Sequence, residues 1–150
     1  MHRLTARFQR PGWTALALTS LLAASACSGS SSTAATSTTG PSATPTTEVF
    51  TGTVPVGGSD SHSFNVTLSN GQVNVILTAA GPPATIFMGL GIGTPSGTTC
   101  TLLSGGSLAT PAGTIAQLSG TAQAGSYCVA VYDVGNQTGD VTYSVTVTHY

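Results

Sequence analysis

The chain is predicted to be all-β: an antiparallel, jelly-roll-like β-sandwich of about eight strands. Three observations predict it. Its globular stretch alternates apolar and polar residues with a period of two, clusters of Gly, Pro, Ser and Asn break that alternation at short intervals, and no window sustains apolar spacings of three and four. A period of two buries one face of a strand and wets the other. Many short strands joined by Gly/Pro-rich turns close into a sandwich or barrel.

The elements follow in order. Val49–Val54 is the first strand. Ser61–Leu68 sets Phe64, Val66 and Leu68 against Ser63, Asn65 and Thr67, and Gln72–Thr78 sets Val73, Val75 and Leu77 against Asn74, Ile76 and Thr78. Ser69-Asn70-Gly71 lies between them and predicts a tight type I′ hairpin, because that turn needs positive φ at both central residues. Thr85–Ile92, Thr99–Leu103, Gly113–Leu118 and Ser126–Val134 read as further strands. They are separated by Gly81-Pro82-Pro83, Thr94-Pro95-Ser96-Gly97, Ser104-Gly105-Gly106 and the turn from Gly135 to Gly139. Asp140–His149 closes the fold, with Val141, Tyr143, Val145 and Val147 on one face and Thr142, Ser144, Thr146 and Thr148 on the other. An immunoglobulin-like sandwich would favour a Trp between its cysteines, and the single Trp here is Trp13.

The amino terminus carries an address. Arg3, Arg7 and Arg10 are the only basic side chains apart from histidine; an apolar run from Trp13 to Ala24 and the small residues Ala24-Ser25-Ala26 follow. These are the parts of a secretory signal peptide over residues 1–26. The run is too short to span a bilayer, which takes roughly 20 apolar residues. Cys27 comes next. Cleavage before it suits a plain secreted protein, and Ala24-Ser25-Ala26-Cys27 also resembles the lipobox of bacterial lipoproteins, with Ala24 where Leu is usual. That resemblance implies lipid on Cys27 and attachment to a membrane of the cell envelope. Residues 28–47 are almost wholly Ser, Thr, Ala, Gly and Pro. Such a composition has too little apolar surface to order itself, so 27–47 reads as the attachment cysteine and a tether with a reach of roughly 25 Å. Residues 48–150 are the sandwich.

Removal of residues 1–26 leaves no Lys or Arg against Glu48, Asp60, Asp133 and Asp140, a formal net charge of minus four. Nucleic-acid binding, which needs cations to neutralise phosphate, is therefore excluded. Polybasic attraction to anionic headgroups is excluded with it, and membrane attachment falls to acyl chains. Each carboxylate must meet water, a backbone N–H, a histidine or a metal.

Three cysteines leave one over. With Cys27 lipidated, Cys100 and Cys128 remain to pair in an oxidising compartment, a bridge worth about 3.6 kcal/mol by chain entropy. The alternative is two buried thiols packing as small hydrophobes.

Gly125-Ser126-Tyr127-Cys128-Val129-Ala130-Val131-Tyr132-Asp133, a polar turn, and Thr142-Tyr143-Ser144-Val145-Thr146-Val147 resemble the last two strands of bacterial pre-peptidase C-terminal domains. The resemblance covers the globular part alone. It implies a small jelly-roll sandwich of the kind that accompanies secreted enzymes, some of whose relatives bind collagen or calcium. No enzyme domain is read within these 150 residues, and acidic residues are few.

Candidate chemistry is sparse, and no pattern implies a cofactor. Asp60, Ser61 and His62 are the residue types of a hydrolase triad, yet neighbours on a strand point to opposite faces. No G-x-S-x-G elbow is present to raise a nucleophile, so an enzyme is not expected. Asp133, Asn136 and Asp140 bracket a turn and could offer oxygens to Ca²⁺; hydrogen bonding of the two carboxylates to turn amides is the expected arrangement. His62 and His149 lack partners at ligand spacing and are expected to be exposed strand residues. Tyr127, Tyr132, Tyr143 and Tyr150 fall in the last two strands and offer a stacking platform for a glycan or peptide, although strand aromatics more often fill cores or edges. The reading is an exported, lipid-anchored envelope protein with a non-catalytic binding or structural module, whose partners are the membrane and a glycan or protein ligand. Its rivals are an accessory part of a secreted enzyme and a self-associating surface component.

Overall fold

A computed structural model describes residues 43–150. The signal segment, Cys27 and nearly all of the tether lie outside the described residues. Eight strands follow one another: β1 Thr46–Val54, β2 Ser59–Val66, β3 Gly71–Gly81, β4 Met88–Ser96, β5 Thr99–Thr110, β6 Leu118–Ala122, β7 Gly125–Tyr132 and β8 Val141–His149. They form two four-stranded antiparallel sheets, ordered β1-β8-β3-β6 and β2-β7-β4-β5. First pairs with last, second with seventh, third with sixth and fourth with fifth. That is the jelly-roll order: a long two-stranded ribbon, folded at β4–β5, wrapped so that its halves alternate between sheets.

The core is where the two inward faces meet. β8 contributes Val141, Tyr143, Val145 and Val147, β3 contributes Val73, Val75 and Leu77, and β7 contributes Val129 and Val131; all are nearly inaccessible. Met88 and Leu90 of β4 and Phe64 and Val66 of β2 complete the opposite layer. Outward positions on β8 are Thr and Ser, as its alternation predicts. In β3 the register slips between Leu77 and Ala79. The bulge turns Ala80, not Ala79, into the core, which explains why strict alternation ends at Thr78.

The hairpin predicted at Ser69-Asn70-Gly71 is not formed. β2 and β3 lie in different sheets, and the turn runs from Leu68 to Gly71, closed by the Gly71 N–H on the Leu68 carbonyl at 2.9 Å. Of its central residues only Asn70 has positive φ, 60°, the pattern of a type II rather than a type I′ turn. Phe64 and Val66 then face Val73 and Val75 across the core instead of pairing beside them. Asn-Gly reports that the chain reverses; it does not report whether the two strands will pair or face each other.

Two other predicted turns are absorbed into strands. β4 runs on through Thr94-Pro95-Ser96. It pairs with β7 only over Gly89–Gly93, so Pro95 lies where its missing N–H is not needed on that side. β5 runs through Ser104-Gly105-Gly106, where the register against β4 jumps from Gly91↔Ser107 to Gly93↔Leu102. This is a bulge, with Gly105 at φ 72°. The strand predicted at Gly113–Leu118 begins only at Leu118. Ahead of it the Gly113 and Gln117 N–H groups donate to the Leu77 and Val75 carbonyls at 2.8 and 3.0 Å, while Gln117 Oε1 accepts the Leu77 N–H at 2.8 Å. A side-chain amide thus takes the place of a backbone neighbour. β1 starts at Thr46, two residues ahead of the boundary expected at Glu48, because Thr46 and Thr47 pair with His149 and Thr148.

Candidate functional site

The two sheets leave an open edge where β1 and β2 lie side by side, and inward-facing positions of both strands bring polar groups there. Asp60 and His62 are two apart on β2 and so share a face, on either side of Tyr143 from β8. The Tyr143 hydroxyl donates to Asp60 Oδ2 at 2.8 Å and lies 2.9 Å from His62 Nε2. A phenol has one proton to give, so His62 Nε2 must be the donor in the second bond. The relay runs His62 to Tyr143 to Asp60, with His62 and Asp60 themselves 3.7 Å apart. Phe50 of β1 stacks flat on the His62 ring, centroids 4.9 Å apart and planes within 6°. Gly52 makes the space: a Cβ there would lie 2.1 Å from Asp60 Oδ2. Burial, then the Asp60 carboxylate, pushes the Tyr143 phenol far above its ordinary pKa. Ser61 points away from this group, so Asp60, Ser61 and His62 form no triad.

Further along the same edge His149 Nε2 lies 2.8 Å from Glu48 Oε1. The carboxylate can only accept, so Nε2 carries the proton. The ring is 4% exposed, packs against Phe64 at 5.3 Å, and its Nδ1 is buried without a partner. The expectation that both histidines would be exposed strand residues is therefore corrected. His149 extends the inward series Val141 to Val147, and His62 extends the inward series of Phe64 and Val66.

Asp133 follows β7 directly and organises the turn there. Its Oδ2 accepts the Gly57 N–H at 2.8 Å; its Oδ1 accepts Gly135 at 2.7 Å, Asn136 at 3.1 Å and Gln137 at 3.3 Å. The hydrogen bond from the Gly57 amide above all holds the carboxyl below its ordinary pKa; burial opposes it, and the bonds from Gly135, Asn136 and Gln137 add to the lowering. Asn136 turns its Nδ2 to the Phe87 carbonyl at 3.1 Å. Asp140 is exposed. Among the described residues no group of three or more His, Cys, Asp or Glu is placed to hold a metal ion.

The tyrosines do not share a platform. Tyr127 faces inward beside Phe64, ring centroids 6.1 Å apart, at the mouth of a cleft of about 400 Å³ between the sheets that Ile92, Leu103 and Leu118 also line. Tyr143 is buried in the relay. Tyr132 lies on the outer face of the second sheet, and Tyr150 follows β8, where its carbonyl accepts the Thr67 N–H at 2.7 Å.

Cys100 and Cys128 are joined in a disulfide, Cα atoms 5.8 Å apart. β5 and β7 flank β4, so the bridge passes over the outer face of β4. That face is bare at Gly93, where a Cβ would meet Cys100 Sγ at 2.9 Å and the Thr101 carbonyl oxygen at 2.2 Å. The bridge draws β5 into contact with β7 and β2. Between the β4–β5 turn and the outer face of the second sheet a groove of about 340 Å³ remains, lined by Ser59, Ser61, Thr99, Cys100, Ala130 and Tyr132 among others. Sequence reading found the bridge but not the groove, for the groove depends on the curl of β4 beyond Gly93. Searches against family models and curated proteins return no match to the chain.

Proposed function

We propose that the chain is an exported cell-envelope protein, held to its membrane by lipid on Cys27, whose sandwich is a non-catalytic binding or structural module. One observation carries the module reading: the ionisable groups are spent inside the fold while the inter-sheet cleft is lined by others. Glu48, Asp60, Asp133 and both strand histidines are each hydrogen-bonded to another part of the chain. The inter-sheet cleft is lined by aliphatic, aromatic, hydroxyl and amide groups, with no acid, histidine or thiol. General acid–base chemistry needs a titratable group within reach of a bound substrate, and such an opening is suited to binding instead. The export segment, the disulfide and the likeness of the last strands to pre-peptidase C-terminal domains support the same reading.

Intact-mass measurement of the protein recovered from membranes tests the anchoring. The expected species begins at Cys27, carries acyl mass and lacks two hydrogens at Cys100 and Cys128. Recovery from the cytoplasm with Met1 attached and thiols reduced would overturn it. Measurable turnover of a glycan or peptide, lost on changing Asp60 or His62, would replace the module with an enzyme.

A further inference from the structure

We infer that the groove between the β4–β5 turn and the outer face of the second sheet is a binding site for a neutral sugar, with Tyr132 as its stacking surface. This rests on the module reading and gives it a ligand class.

The geometry of Tyr132 is the first reason. A Cβ placed on Gly89 would lie 2.2, 2.3 and 2.4 Å from three consecutive atoms of the Tyr132 ring. Near-equal distances of that kind arise only above the plane of a ring, never beyond its edge. The ring therefore lies face down on the glycine backbone, and its other face is turned away from the sheet. An aromatic side chain left to itself on a strand stands away from the sheet or packs on a neighbour; this one is laid flat because Gly89 offers no side chain. A flat aromatic face, negative in its quadrupole, is what the slightly positive C–H face of a pyranose stacks upon.

The polar lining is the second reason. Ser59 is the cross-strand neighbour of Tyr132 and Ser61 that of Ala130, so their hydroxyls stand in a row beside the ring. Thr99, whose hydroxyl donates to the Ser96 carbonyl at 2.8 Å, faces them from the β4–β5 side as an acceptor. Hydroxyls both donate and accept, which matches the alternating capacity of a sugar's own hydroxyl groups. Charge is the third. The one acidic residue along the groove, Asp60, turns its carboxylate to Tyr143 on the other face of β2, and neither Lys nor Arg occurs beyond Arg10. An acidic sugar would find no counter-ion there. The disulfide holds the facing wall in place, so the site is formed before the ligand arrives, which reduces the ordering cost of binding.

The test is titration of the full chain with cellotetraose, chitotetraose and a galacturonate tetramer, followed by saturation-transfer NMR and by tyrosine emission. At least one neutral oligomer is expected to bind with a Kd below about 1 mM, and the acidic one to bind more weakly. Tyr132→Ala should weaken binding about tenfold, Tyr132→Phe should retain it, and Tyr127→Ala, in the separate cleft, should leave it unchanged. Cys100→Ser with Cys128→Ser should weaken binding in protein whose circular dichroism still shows the sandwich. No saturable binding of either neutral oligomer up to about 10 mM, or binding that ignores Tyr132, would overturn the assignment. Both failures leave the module reading standing; only turnover of a bound oligomer would remove that reading as well.

Discussion

Tyr143→Phe isolates the relay at the open edge. Phe keeps the ring in its place among Val141, Val145 and Phe50 and removes only the hydroxyl. Two hydrogen bonds go, one of them to a carboxylate at 2.8 Å. A bond to a charged group contributes about 1.5 to 3 kcal/mol and a neutral one about 1. Asp60 and His62 have side chains 33% and 30% exposed, so water recovers part of the loss. The net cost at neutral pH is about 2 kcal/mol, or a fall in Tm of about 10 °C for a domain of this size. The pH dependence sharpens the test. The folded phenol titrates far above the unfolded value of 10.0, so its contribution is complete below that pH and is lost as the pH rises. Above it the unfolded chain sheds a proton that the folded chain keeps, and stability declines by about 1.4 kcal/mol per pH unit. Phe has no such proton, so the deficit of the variant should shrink to about 0.6 kcal/mol near pH 11. Urea denaturation of both proteins near pH 8 and near pH 11 reads this directly. An equal deficit at the two pH values would refute the relay as drawn.

Further outcomes concern the backbone, the bridge and the turn. Gly93→Ala, whose Cβ would press on the Thr101 carbonyl and the bridge, should cost about 3 kcal/mol or prevent folding. Gly120→Ala on the β6 edge, with nothing within 4 Å, should gain about 0.5 kcal/mol by limiting the unfolded chain; thermal melts compare the two. Reduction of Cys100–Cys128 opens a span of 28 residues and should lower stability by about 3.5 kcal/mol, read by denaturation with and without reductant. Asp133 is held below its ordinary pKa by turn amides. Its contribution is present above the unfolded value and disappears as acid titrates the folded carboxyl, so melts between about pH 5 and pH 2 should fall more steeply for the native chain than for Asp133→Asn.

Much of the sandwich was legible because period two is a strong local signal. β8 reads directly: each residue from Val141 to Val147 lies on the face that its parity assigns. Parity also held the open edge. Asp60, His62, Phe64 and Val66 share one face of β2, and His149 shares that of Val147, so the inward histidines could have been found by counting. Which residue they would meet could not, since Tyr143 reaches Asp60 from 83 positions away along the chain. The β2–β3 turn failed for a related reason: an Asn-Gly signal is local, whereas the choice between pairing and facing is set by the whole ribbon. The Gly105-Gly106 bulge and the Pro95 segment were read as turns because Gly and Pro mark both kinds of interruption. The disulfide was found by arithmetic, and the groove it helps to shape arises from three-dimensional curl.

The register of β1 against β8 decides how the sandwich bears load. Thr46, the first residue of β1, lies opposite His149, and nine successive residue pairs run from there to Val54 opposite Val141. A pull applied at Thr46 along the axis of β1, with the rest of the sandwich held, would drag β1 lengthwise past its neighbour. The rungs of the ladder would then resist together in shear instead of parting singly from one end, so that load along this axis does not peel the first strand away.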